Sequence, residues 1–488
     1  MLFNSYVFLA FLPITWMIYF LLNHFRWYRL AQSTLIIASF VFYGYEDYRL
    51  CLLLAFSIAV NFLLHLGLMS NNCREVLRRL LLVLGIGINL GLLYYFKYFD
   101  FTLENLNRFL GTDFVLRNIA LPLGVSFYTF QQISFVVDSY SRKMGKCSLL
   151  DYSLFVSFFP QLVAGPIVLH KEMIPQFQNP ENRKINYDNM LSGAEYFIMG
   201  FAKKVLVADT FAKICDAGYE NLFELNSISA VLTVLAFTLE IYFDFSGYCD
   251  MALGLGRFFN IIIPTNFNSP YKALNISDFW KRWHMTLTRF LTTYLYIPLG
   301  GSRKGLMRTC INVMLVFSLS GLWHGAAWTF VLWGMMHGAA MVVYRVGRKF
   351  FDYLPRVLSW LCTFLFVNVA WVFFRAEYFR QPWRLLGRVF CGGAGGIHSD
   401  MVSALCNNTI WELTLERLVG LSTLQNICQV VTILGFAFGV LICVKLPSSH
   451  ELVSRKNRGT GWFIYLSVLF AWSFTQLSQV SKFIYFNF

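Results

Sequence analysis

Charge is scarce in this sequence. Of 488 residues only 14% are Asp, Glu, Lys or Arg, while 57% are hydrophobic and 18% aromatic. A water-soluble chain carries about a quarter of its residues as charges to cover its surface. The mean hydropathy of +0.55 points the same way, so lipid is the solvent for most of this surface. The signatures of soluble catalysts are missing too. There is no Gly-x-Ser-x-Gly elbow, no Walker loop, no Gly-x-Gly-x-x-Gly opening a helix and no His-Glu-x-x-His. None of the eight histidines has Asp five residues on, which removes the His-x-x-x-x-Asp acyltransferase box. The eleven cysteines are scattered, with no Cys-x-x-Cys pair and no His–Cys cluster. That argues against a disulfide framework or a zinc site; in apolar runs a free Cys behaves as a small hydrophobe. Cys391 and Cys406 flank a Gly-rich loop, and the sequence leaves their pairing open.

What is present is a series of apolar windows, each long enough to cross about 30 Å of hydrocarbon as a helix. The clearest are residues 3–22, 51–69, 80–99, 307–322, 328–344, 360–374 and 429–444. Residues 120–137 and 153–168 are further candidates, interrupted by polar residues, Pro or Gly. These features predict an all-α polytopic membrane protein of about 11 transmembrane helices, because backbone in lipid must satisfy its own hydrogen bonds. Ten-residue alternation of the barrel kind is absent. The first 22 residues lack a basic start and an Ala-x-Ala site, so they read as a retained first helix rather than a signal peptide. The formal charge of +14 reads as topology and gives no reason to expect nucleic acid. Lys and Arg alternate between successive early loops, and acids gather in the second and fourth, which places the N-terminus outside by the positive-inside rule.

No stretch outside the spans is long enough to bury a core of its own, so residues 1–488 read as a single membrane domain. Residues 1–137 are N-terminal helical hairpins, 138–344 a central core and 345–488 C-terminal helices around one polar loop, 392–416. The middle is crowded with Pro160, Gly165, Pro166, Pro175, Asp244, Gly247, Asp250, Gly254, Gly256, Pro264 and Pro270. Such density is tolerated where backbone lines a cavity or packs within protein. The chemistry is expected there.

His324 stands in Ser320-Gly-Leu-Trp-His-Gly-Ala-Ala-Trp328, between apolar runs. An ionisable group at that depth faces the bundle interior or an aqueous cavity, and neutral imidazole can take and return a proton near pH 7. A buried histidine satisfied by a neighbouring carbonyl would look the same. A second constellation is Ser277-Asp-Phe-Trp-Lys-Arg-Trp-His-Met-Thr-Leu-Thr-Arg289. Asn275, Ser277 or Asp278 can cap a helix here, putting Trp280, Trp283 and His284 on one face. An interfacial amphipathic helix with an aromatic belt is the plainer account. His337, in Gly334-Met-Met-His-Gly338, reads as structural.

Taken together, four blocks resemble the membrane-bound O-acyltransferase (MBOAT) family, and within it the bacterial alginate O-acetylation branch. They are Phe159-Pro-Gln-Leu-Val-Ala-Gly-Pro-Ile167, Tyr242-Phe-Asp-Phe-Ser-Gly-Tyr-Cys-Asp-Met-Ala-Leu-Gly-Leu-Gly256, Asn266-Phe-Asn-Ser-Pro-Tyr271, and the run from Ser277-Asp-Phe-Trp-Lys-Arg-Trp-His284 through Tyr296-Ile-Pro-Leu-Gly-Gly301 to Leu322-Trp-His-Gly325. The resemblance spans nearly the whole chain, in order. It implies spanning helices with re-entrant or interfacial ones around a central tunnel, and O-acetylation of a cell-envelope polysaccharide such as alginate, peptidoglycan or an exopolysaccharide. It implies His324 and His284 as catalytic residues. Trp280, Trp283, Trp323, Asn266, Asn268, Tyr271, Lys281 and Arg282 become the candidate substrate contacts, with Arg303 and Lys304 as further candidates for a donor's phosphates. It also implies acetyl-CoA as donor substrate with no bound cofactor or metal, an extracytoplasmic SGNH-type partner protein, and the bacterial cytoplasmic (inner) membrane with its lipids.

Three other functions compete. A transporter would use Lys97, Asp138, Asp244 and Asp250, although no inverted repeat is visible. A structural scaffold and a D-alanyl transferase for teichoic acid are the others.

Overall fold

The computed structural model describes residues 1–145, 147–406, 421–455 and 458–477. Among these residues every regular element is a helix. Seven helices are long and apolar enough to cross a membrane: Tyr6–His24, Arg49–Met69, Glu75–Leu110, Ser227–Phe258, Gly305–His324, Arg356–Arg375 and Asn426–Lys445. Thr460–Thr475 is a shorter apolar helix. The chain is therefore an all-helical, multi-pass membrane protein. Against the expected figure of about 11 spans, the described residues supply seven that meet the length and composition of a crossing.

Of the expected windows, residues 120–137 give the 16-residue helix Val125–Tyr140, and residues 328–344, helical as Trp328–Val346, are not among the seven. Residues 153–168 do not form one span. A capping box between Ser148 and Asp151 starts the helix Leu149–Ser157, Pro160 sits in the first turn of Phe159–Leu162, and the next helix begins at His170. A proline at that position removes an N–H that has no helical partner anyway. Conversely, the glycine- and aspartate-rich stretch of the middle is not broken. Asp244, Gly247, Asp250, Gly254 and Gly256 all lie in the 32-residue helix Ser227–Phe258, whose most apolar window is 78% buried. Its small residues serve packing.

The chain gathers into two compact units, Met1–Met199 with Tyr248–Thr265, and Gly200–Gly247 with Asn266–Phe488. In the first, buried amides tie helices together. Asn89 Nδ2 donates to Asn61 Oδ1 at 2.6 Å, Gln132 Nε2 to Ser57 Oγ at 3.0 Å, and His65 Nδ1 meets Ser139 Oγ at 2.8 Å. Such bonds hold helices where lipid gives no hydrophobic drive to pack. Glycine allows a close approach: a Cβ at Gly254 would fall 2.5 Å from the Gly193 carbonyl oxygen.

The second unit is built around a helical hairpin, Gly305–His324 and Trp328–Val346. A Cβ at Gly321 would lie 2.2 Å from the Phe330 oxygen, and one at Gly334 2.2 Å from the Phe317 oxygen. The two backbones thus touch, as small residues at a membrane helix crossing permit. The π-helical turn Lys203–Ala208 carries Lys204 to Asp209 at 2.7 Å and Asp244 at 2.8 Å. All three are buried, so Asp244 belongs to a closed ion cluster. Cys391 is exposed; the side chain of Cys406 lies outside the described residues, and with it the question of their pairing.

Candidate functional site

The His284 region folds differently from one amphipathic face. Asn275 caps the helix Ile276–Trp280 by accepting from Asp278 N at 2.8 Å, as expected. That helix has only five residues, and His284 then takes a left-handed backbone (φ +43°) before Met285–Leu291. Trp280, Trp283 and His284 therefore do not share a helical face. Residues 266–268 hold the turn instead. Asn268 N donates to the Arg282 oxygen at 2.9 Å and Met285 N to the Asn266 oxygen at 3.0 Å. Arg282 clamps it further, on Asp278 at 2.9 Å and the Asn268 oxygen at 3.3 Å.

The turn delivers His284, fully buried, beside the end of the hairpin's first helix. Its ring centroid lies 6.3 Å from that of His324 and 6.3 Å from that of Trp323, with the Phe245 ring edge-on at 4.8 Å. His324 is the last residue of its helix, and Gly325 is extended. Trp323, Trp333 and Phe374 surround His324 at 4.9, 5.1 and 5.4 Å. The hairpin places His324 and His337 on its two arms. They do not follow one another along one rod; the chain turns back, and Trp333 touches both, with its ring 4.8 Å from that of His337. Trp280 Nε1 donates to His337 Nδ1 at 3.2 Å.

Several buried polar atoms here make no hydrogen bond to any described residue: His284 Nε2, Ser320 Oγ, Trp333 Nε1 and His337 Nε2. Protein interiors leave few such atoms, and one without a partner costs about 1–3 kcal/mol. Ser320 lies one helical turn before His324. Several such atoms lie close together here, where a polar ligand or water can meet them.

Ser320 also lines a cavity of about 320 Å³. Trp280, Val313, Val316 and Phe317 give it apolar wall, while Lys281 and Arg345 bring positive charge. Both cations are exposed. A compartment with apolar sides, buried hydroxyl and basic groups suits an amphiphilic ligand with an anionic head. Among the described residues no group of three or more His, Cys, Asp or Glu is placed to hold a metal ion.

Of the residues singled out from sequence, His324, His284, Trp323 and Asn266 come together. Trp283 is one layer back, its ring 4.9 Å from that of Trp371. Tyr271 lies deeper, donating to the Thr238 oxygen at 2.7 Å and accepting from Trp371 Nε1 at 3.2 Å. Trp280 and Lys281 line the cavity, Arg282 and Asn268 serve the turn, and Arg303 and Lys304 are exposed on a loop beside Ser302, which lines the cavity. Sequence reasoning missed Ser320, Trp333, Phe374 and Arg345. The available signal was the glycine pair Gly321 and Gly334 around a short connection, which foretells a close hairpin.

Residues 36–378 match the model of MBOAT, the membrane-bound O-acyltransferase family. The chain belongs to that family. It is 40% identical to the peptidoglycan O-acetyltransferase of Helicobacter pylori over 100% of this chain and 98% of that protein. It is 39% identical to the probable alginate O-acetylase AlgI of Pseudomonas aeruginosa, over 86% and 80%. The teichoic acid D-alanyltransferase of Bacillus subtilis is 25% identical over 54% of this chain and 71% of that protein. An MBOAT protein with these relatives is a membrane-embedded O-acyltransferase, and the transporter and scaffold readings give way to it.

Proposed function

We propose that this enzyme moves an acetyl group from cytoplasmic acetyl-CoA to a hydroxyl acceptor outside, for O-acetylation of a cell-envelope polysaccharide, with peptidoglycan the first candidate. Its setting is the bacterial cytoplasmic membrane, N-terminus outside, and an extracytoplasmic SGNH-type protein completes delivery to the glycan. The observation that carries the reading is the buried His284–His324 pair, with rings 6.3 Å apart, next to a cavity with basic residues and the Ser320 hydroxyl. Peptidoglycan is favoured because the Helicobacter pylori peptidoglycan O-acetyltransferase aligns over the full length of this chain.

The thioester arm of the donor occupies the cavity, its phosphates toward Lys281 and Arg345 and its carbonyl toward Ser320 and the His324 end of the helix. The volume, about 320 Å³, is at the lower end of small-molecule sites, about 300–1,000 Å³, which leaves the nucleotide at the mouth. One histidine takes the proton of the attacking hydroxyl and the other holds the acyl group. General-base catalysis of this kind supplies about 10²–10⁴-fold. Aromatic walls exclude water, so the thioester is transferred rather than hydrolysed.

Deleting the gene and complementing it, then measuring ester-linked acetate on purified peptidoglycan, tests the substrate. The expected result is loss on deletion and recovery on complementation. Unchanged peptidoglycan with acetate lost from another envelope glycan would refute the peptidoglycan assignment.

A further inference from the structure

The hydrogen bonds around Asn266 fix more than the turn. Its Oδ1 accepts from Thr286 N at 3.2 Å and from Thr286 Oγ1 at 2.9 Å, and lies 3.1 Å from His284 Nδ1. A backbone N–H can only donate, so the atom facing Thr286 N is the amide oxygen. The same oxygen faces Nδ1, which must therefore carry a proton. In a neutral imidazole the lone pair is then on Nε2. That atom is enclosed and makes no hydrogen bond to any described residue. Asn266 and Thr286 are themselves buried, so water does not compete for the arrangement.

We infer that Asn266 is a positioning residue that holds His284 as its Nδ1–H tautomer, making Nε2 a proton acceptor for the attacking hydroxyl. The assignment rests on the acyl-transfer reading for the identity of that hydroxyl. Its geometry follows the usual pairing of a base with an orienting group. In the step, the hydroxyl oxygen bonds to the thioester carbonyl carbon while its proton passes to His284 Nε2. Collapse breaks the carbon–sulfur bond, and the departing thiolate takes that proton back. The products are an ester and a free thiol, and the imidazole returns to its starting form. Asn266 touches none of the reacting atoms.

Two measurements on the full-length protein in nanodiscs decide the matter. The first is solid-state NMR of ¹⁵N-histidine-labelled protein, with the His284 signals identified by their loss in His284→Gln. We expect a protonated Nδ1 and bare Nε2 in wild type, and a changed tautomer population in Asn266→Leu. A protonated Nε2 in wild type, or no change in Asn266→Leu, overturns the inference. The second is acetyl transfer from acetyl-CoA as a function of pH. Asn266→Asp keeps an acceptor for all three donors and adds a negative charge beside the ring. A charge at that range favours the imidazolium, so the acid limb of kcat should move to higher pH by about one unit or more. Asn266→Leu should lower kcat about 100-fold while KM for acetyl-CoA stays within about twofold. The rings facing His284 are Phe245, Phe267, Trp323 and His324; His324 is the titratable one, and neither variant alters it. A profile for Asn266→Asp that superimposes on wild type, or a rise in KM at constant kcat for Asn266→Leu, means Asn266 is merely structural. If wild type consumes no acetyl-CoA, the donor assignment fails, and the NMR measurement still decides the tautomer.

Discussion

A left-handed backbone at a residue with a Cβ costs on the order of 1–3 kcal/mol and persists where surrounding contacts dictate it. His284 carries one, at φ +43°, held by Asn266 and by the Arg282 clamp. The strain turns the ring toward His324 in place of continuing the helix of Trp280. Beside this pair, Lys281 and Arg345 line the cavity, and their roles separate from those of the histidines. Replacing either cation with Gln should raise KM for acetyl-CoA about tenfold, the worth of one charge-assisted hydrogen bond, with kcat little changed. Because both are exposed, wild-type KM should also rise with ionic strength. Steady-state kinetics at low and high salt measure both effects; a fall in kcat at unchanged KM would remove these residues from donor binding.

The hairpin Gly305–His324 and Trp328–Val346 sets the position of His324 because its two backbones meet at glycine. Gly321→Ala would press a methyl group 2.2 Å from a carbonyl oxygen, an overpacking that costs about 1–3 kcal/mol. Gly87 has nothing within 4 Å of an added Cβ and lies within the helix Glu75–Leu93. Alanine there should be neutral or stabilising by up to about 1 kcal/mol. Thermal unfolding in detergent distinguishes the two, and equal melting temperatures would contradict the close crossing. Most spanning helices were legible as apolar runs, since length and hydropathy are local properties. The helix Ser227–Phe258 was not, because glycine and aspartate break a lipid-facing helix pattern but suit one enclosed by protein. The face shared by Trp280, Trp283 and His284 was a false reading for a related reason: helical periodicity cannot register a turn imposed by residues 266–268, which are distant in sequence.

At the scale of the whole chain, low charge and long apolar runs established the membrane class, and His324 stood out as an ionisable group between apolar segments. Trp333, Phe374 and Arg345 were hidden because they reach His324 and the cavity only through tertiary contacts. Asn266 was read as a substrate contact, whereas its oxygen is engaged by Thr286 and His284. The proposed orientation puts the N-terminus outside, and reporter fusions at the N-terminus and in the first loop, near Arg26 and Arg29, should report opposite sides of the membrane. The central claim, acyl transfer at a histidine pair, is tested most directly in proteoliposomes given acetyl-labelled acetyl-CoA and a hydroxyl acceptor. Wild type, His324→Ala and His284→Ala are compared at equal reconstituted amounts. The account predicts labelled ester from wild type and a loss of about 100-fold or more in each variant. Ester formation by His324→Ala at the wild-type rate would contradict it.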